Sequence, residues 1–212
     1  MPIGYCCNDR VQLSITTLLL KEAAIASLRL SITGDLGDMR EDLFGPPQLA
    51  ALLILVQRGL EELHSHRNTR RLLQEGGREE GRDFYPVVAI THLCWIASIA
   101  LLIGPAAPLD VPALGVFVAL QPVRYWIIGT LGRFWTHRII SLPGAPIVVR
   151  GPYRIMRHPN YALTLAETAL LPLAFSEPAL AVIFTAIWGA VLRYKIVLED
   201  QALAARRCRE TG

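Results

Sequence analysis

Apolar blocks separated by connections in which nearly every cation is arginine constrain this chain most. The blocks fall at about 43–63, 85–103, 111–131, 160–175 and 178–194. Each approaches the roughly 20 residues a helix needs to cross about 30 Å of hydrocarbon. Lipid offers no partner to backbone N–H and C=O groups, so blocks like these cross as helices. Composition agrees: 52% of residues are hydrophobic and 18% charged, against roughly 25% charged in soluble domains. The sequence therefore predicts an all-α integral membrane helical bundle of about five transmembrane helices plus a C-terminal cytosolic helix. That last helix is read from the Ala-, Leu-, Glu- and Arg-rich tail, Lys195 to Arg209. At 212 residues one bundle is expected. Residues 1–42 read as a peripheral or poorly ordered extension and 43–209 as the membrane domain.

The charges between blocks predict an orientation. Only Lys21 and Lys195 are lysines, and the arginines cluster. Arg67, Arg70, Arg71, Arg78 and Arg82 follow the first block, and Arg133, Arg138, Arg150, Arg154 and Arg157 follow the third. Gly104–Asp110 and Ser176-Glu177-Pro178 contain no cation. The positive-inside rule puts the arginine-rich connections and the C-terminus in the cytosol, with the N-terminus outside. Tyr85, Trp126, Trp135 and Tyr194 fall near that cytosolic interface, where aromatic rings are favoured.

Several features exclude other classes. Val11 to Leu30 is broken by Gln12, Lys21, Glu22 and Arg29 and lacks the order of a signal peptide. Met39 is a candidate alternative start. The glycines of Thr33–Asp38 do not make a dinucleotide fingerprint. Cys6, Cys7, Cys94 and Cys208 form no zinc spacing or disulfide framework, and Arg209 in the fourth position from the end rules out a prenylation box. His64-Ser65-His66 reads as an interfacial pair, so no metal site is expected, and no nucleic-acid partner.

The chemistry-bearing stretch is Val149 to Tyr161, with Arg150, Arg154, Arg157 and His158. Pro is favoured at the first helical position and forces its predecessor into an extended conformation, so a helix is predicted to open at Pro159. Its free amides at Asn160, Tyr161 and Ala162 would join the arginines in an anion-binding corner. Glu199-Asp200, after the fifth block, supply complementary carboxylates for a ribose diol or an ammonium. Inside the blocks, Arg124 and Glu167 are catalytic candidates, since ionisable residues in a span mark function by default; they are also candidate partners for each other. Arg58 and Glu62 are spaced to pair on one helix face. Ile139-Ile140 and Ile147-Val148-Val149 read as β-branched pieces of an irregular or hairpin-like cover.

Gly151-Pro152-Tyr153 followed by Arg157-His158-Pro159-Asn160-Tyr161, and later Glu199-Asp200-Gln201-Ala202-Leu203, resembles the isoprenylcysteine carboxyl methyltransferase family, with Asp200 where Glu is usual. The likeness runs from about Leu43 to Leu203, and Arg133, Trp135 and Leu142-Pro143-Gly144 look like bacterial members. It implies S-adenosyl-L-methionine in a cytosol-facing pocket and a lipophilic acceptor arriving from the bilayer. Carried over, the cofactor contacts would be Tyr153, Arg157, His158, Pro159, Tyr161, Glu199 and Asp200. The acceptor would be a C-terminal S-isoprenylcysteine carboxylate or a long-chain polyketide hydroxyl, and a hydroxyl would need His158 or Glu167 as base. Two alternatives share parts of the pattern: an NADPH-dependent sterol- or steroid-type reductase and a phospholipid N-methyltransferase.

Overall fold

The computed structural model describes residues 44–146 and 148–211, with side chains as far as Ala202. The extension at 1–42, Met39, Cys6, Cys7 and the Cys208 side chain lie outside the described residues.

The described chain is helical: α1 Pro46–Gln74, α2 Tyr85–Leu102, α3 Val111–Leu131, a one-turn α4 Pro152–Ile155, α5 Pro159–Ala174 and α6 Pro178–Thr211. Two three-residue strands, β1 Arg78–Glu80 and β2 Ile139–Ser141, pair antiparallel. Helix starts follow local chemistry. Proline occupies the first turns of α1, α2, α3, α4 and α5, where its missing N–H costs nothing. Asp110 caps α3 by accepting from the Ala113 amide at 2.9 Å. Gln48 works at two ends. Its Oε1 accepts from Gly45 N at 3.1 Å, and its Nε2 donates to Ala100 O and Ile103 O, closing the last turn of α2.

Among the described residues three helices are long and apolar enough to cross a membrane: Arg82–Leu102, Val111–Phe134 and Pro178–Ala202. The five blocks read as spans coincide with α1, α2, α3, α5 and α6, of which α1 and α5 fall short in apolarity or length. Helix α5 has 16 residues, about 24 Å of helix. Helix α1 carries too many polar residues, and it turns them inward. Glu61, Ser65, Asn68 and Thr69 are buried, while Leu49, Leu52, Leu53, Val56, Leu60 and Leu63 are exposed. A polar interior behind an apolar exterior suits a lipid-facing helix.

Three expectations change here. Helix α1 runs past Leu63 to Gln74, so Arg67, Arg70 and Arg71 are helical and do not belong to a loop. The tail is the uninterrupted continuation of α6 and makes no separate helix. Strand β2 finds its partner in the other arginine-rich connection, Arg78 opposite Ser141 and Glu80 opposite Ile139, while Val148 and Val149 form no strand. Arg138 reinforces that junction through Glu79 at 2.7 Å and by lying over the Tyr85 ring.

The apolar core fills one end of the bundle, with Trp95, Ile99, Phe117, Leu171, Phe175 and Phe184 at its centre. Across the middle lies an ionic cluster. Glu167 of α5 accepts from Arg58 at 2.6 Å, from Gln121 at 3.1 Å and from Arg124 Nε at 3.0 Å, and pairs again with Arg124 Nη2. Glu61 takes Arg58 at 2.6 Å and Arg124 at 3.5 Å. Arg58 thus pairs with Glu61 and not Glu62, because Glu61 faces inward while Glu62 reaches His137 at 2.7 Å. Two cations meet two anions, and α1, α3 and α5 are tied by charge that is neutral in sum.

Removing one member strands its opposite charge. Glu167→Ala is expected to cost about 3–5 kcal/mol, read as a lower midpoint of thermal unfolding in detergent. Arg124→Met with Glu167→Met, which removes one charge of each sign, is expected to cost less than Glu167→Ala alone.

Candidate functional site

At the other end of the bundle the polar side of α1 fixes the connection after α3. Asn68 Nδ2 donates to Trp135 O at 2.9 Å and Gly132 O at 3.1 Å, and Ser65 Oγ accepts from His137 N at 2.8 Å. The chain then passes through β2 and turns at Gly151 into α4. Gly151 has φ +54° and ψ −135°. A Cβ there would meet Thr130 Oγ1 at 2.9 Å and Trp126 Nε1 at 3.3 Å. Only glycine fits this turn, and it aims Tyr153 to His158 back at the helices.

Helix α5 opens at Pro159 as expected, with His158 as N-cap. Its amides do not stay free: Tyr161 N and Ala162 N both donate to the His158 carbonyl, at 3.1 and 3.3 Å. The corner is therefore built from side chains. The His158 and Tyr161 rings stack, 5.2 Å apart and within 4° of parallel. Tyr161 OH donates to Glu199 on α6, and His158 Nδ1 lies 3.5 Å from the same carboxylate. Arg157 reaches Asp200 at 3.2 Å, an exposed pair. The two motifs, about 40 residues apart in sequence, meet.

They enclose a cavity of about 310 Å³ whose walls include Tyr153, Arg157, His158, Tyr161 and Glu199, with Trp135 on the far side. This is at the low end of the 300–1,000 Å³ usual for small-molecule sites. Pro159 is the buried first residue of α5 and Asp200 holds Arg157; neither lines the space. Burial pushes the Tyr153 hydroxyl above its ordinary range, and the Glu199 carboxylate adds to the shift. Tyr153 therefore stays a protonated donor at neutral pH.

A second cavity of about 290 Å³ lies between α1, α2, α5 and α6. Its walls are mainly apolar, with Leu55, Val88, Ile96 and Trp188 among them. Asn160 and Tyr161 line both cavities and so form a shared wall. Asn160 Oδ1 is buried there without a hydrogen-bond partner. The catalytic candidates separate from the cofactor candidates: Arg124 lines the apolar cavity, while Glu167 lies behind it in the ionic cluster and lines neither.

Two residues at the wall were not singled out from sequence. Asn160 was read only as a helix-start amide. Lys195 was read as one more positive-inside residue, yet it is buried on the apolar side. Its spacing four before Glu199, which puts both on one helix face, is the signal that could have found it.

The turn at Gly151 gives a direct check on this geometry. Gly151→Ala must strain φ and push Thr130, at a cost of about 1–3 kcal/mol. The expected result is a lower unfolding midpoint in detergent; an unchanged midpoint contradicts the described turn.

Comparison with known proteins converges on the same elements. The family model for isoprenylcysteine carboxyl methyltransferase (ICMT) matches residues 113–205, which hold most of α3, the motif at 151–161 and the Glu199-Asp200 pair. The uncharacterized protein YpbQ of Bacillus subtilis (strain 168) is 30% identical over 159 residues, covering 73% of this chain and 95% of the relative. No solved structure matches. With the membrane bundle, the paired motifs and a near full-length relative in hand, the chain belongs to the isoprenylcysteine carboxyl methyltransferase family of membrane methyltransferases.

Proposed function

We propose that this protein O-methylates a lipophilic acceptor with S-adenosyl-L-methionine, bound in the polar cavity on the cytosolic side. The carrying observation is the shared wall: a polar cavity with paired acids and bases abuts an apolar cavity between membrane helices across Asn160 and Tyr161. Methyltransferases of this family use this donor.

The residues fit it. The donor is zwitterionic: a carboxylate, an ammonium, a ribose diol and a sulfonium. Arg157 and His158 would meet the carboxylate, and Glu199 the ammonium or diol, with Asp200 setting the position of Arg157. The orphaned Asn160 Oδ1 is an acceptor with spare capacity on the same wall. Tyr153 and Tyr161 close the sides, and Pro159 fixes the turn that carries them. When bound, the donor supplies an electrophilic methyl group. The chain's task is to align it with an acceptor oxygen and keep water away. Glu167 accepts hydrogen bonds from Arg58, Gln121 and Arg124, so Arg124 and Glu167 act in this reading by holding α3 and α5 in register. The working unit is residues 43–209, with the arginine-rich connections and the site facing the cytosol.

The dinucleotide alternative is the weaker fit. NADPH carries several phosphate charges, and of the two arginines lining the polar cavity Arg138 is held by Glu79, which leaves Arg157 and His158, enough for one carboxylate and too little for several phosphates. Isothermal titration of the detergent-purified protein separates the readings. S-adenosylhomocysteine is expected to bind and NADPH not to; binding of NADPH alone overturns the methyltransferase reading. Glu199→Ala removes a charged acceptor worth about 1.5–3 kcal/mol, so S-adenosylhomocysteine affinity should fall at least tenfold. Arg157→Ala, at an exposed pair, should lower it severalfold.

A further inference from the structure

Lys195 has no part in the donor site, yet it is 6% exposed and sits on the apolar cavity. Its Nζ donates to the His137 carbonyl at 2.8 Å and stands 5.2 Å from the centre of the Tyr161 ring. An ammonium has three donors and no acceptor. Here one donor meets a carbonyl, and a ring face adds a cation–π contact. Glu199, one turn on, is engaged by Tyr161 and His158. Among the described residues no carboxylate forms an ion pair with Lys195. The other cations of this cavity, Arg58 and Arg124, are matched by Glu61 and Glu167. Lys195 is therefore a buried cation with donors to spare, whose carboxylate neighbour Glu199 acts on it without forming an ion pair and is engaged by Tyr161 and His158, an arrangement that a ligand's anion would complete.

We propose, resting on the methyltransferase reading, that Lys195 binds the acceptor's oxyanion against the Asn160–Tyr161 wall and so restricts acceptors to those with an ionisable oxygen. The acceptor's head lies in the apolar cavity beside Asn160 and Tyr161, which line both cavities, and the oxyanion meets the methyl group past the edge of that wall, while the chain runs between the helices. Its acidic proton has already gone to water. An oxygen lone pair forms the new O–C bond as the C–S bond breaks, and the C–S electron pair stays on sulfur as a neutral thioether. The charges on oxygen and sulfur vanish together, so no base is needed at the moment of transfer. Long-chain carboxylic acids, phenols and enols qualify. Unactivated long-chain alcohols do not, because Lys195 as a cation cannot take their proton.

The ionisable groups around Lys195 are Glu199 on its own helix, Tyr161 on α5 and His137 ahead of β2. Glu62, Tyr85 and His92 face the same cavity from α1 and α2. The test reads the charge of a bound acceptor directly. A long-chain alkyl nitrophenol, coloured only as the phenolate, is titrated with base in the presence of the detergent-purified full chain. Bound to the wild type, its pKa should fall by about one unit or more relative to detergent alone. Lys195→Arg should keep that shift. Lys195→Met should abolish it, as should Lys195→Gln, which retains a donor for the His137 carbonyl but no charge. An equal shift in wild type and Lys195→Gln overturns the proposal, as does no shift in the wild type. S-adenosylhomocysteine titrated into the same samples should bind wild type and variants alike. If the wild type fails to bind it, the donor reading falls while the nitrophenol result still decides the role of Lys195.

Discussion

Four charges in the middle of a membrane bundle set the terms for everything around them. Each alone would be expensive in hydrocarbon, by several kcal/mol at least. Together Arg58, Glu61, Arg124 and Glu167 are neutral and mutually satisfied. The cost of exposing any one to lipid makes the arrangement unique. Helix α5 cannot slide or rotate against α3 without unpairing Glu167. That fixes the direction of its first turn, and so where His158, Asn160 and Tyr161 stand relative to α6. The ionic cluster and the polar cavity are separate pieces of chemistry joined by one rigid helix.

The arrangement divides labour along the bundle axis. Apolar packing around Trp95, Ile99 and Phe175 closes one end. The ionic cluster locks the middle. The polar face of α1 then holds the 132–137 connection in place over the site, using Ser65 and Asn68. The inward polar residues of α1 are what disqualify it as a simple spanning segment, and they are also what organise the site end.

Much of this was legible in sequence. A prolyl helix start after Arg157-His158 is local chemistry, and α5 begins there. The apolar blocks mark where α2, α3, α5 and the start of α6 lie, and Arg124 and Glu167 do meet. What was hidden depends on facing. Block periodicity cannot say which side of α1 is inward, so Arg58 was assigned to Glu62 by spacing when Glu61 holds the buried side. The pairing of β1 with β2 joins segments about 60 residues apart, and three-residue strands carry too little pattern to announce a distant partner. Lys195 was disguised by its surroundings: in a tail rich in cations, a buried lysine and a solvated one look alike.

The ionic cluster also orders the making of the protein. Arg58 and Glu167 are 109 residues apart, so α1 emerges from the ribosome long before the carboxylate that completes its pairing exists. Glu61 can neutralise Arg58 locally, but the Arg124 side chain arrives with α3 and its main partner only with α5. Helix α1 therefore gains its full set of ion pairs only once α5 has been made. Among the described helices the earliest in sequence is thus among the last to have its pairing completed.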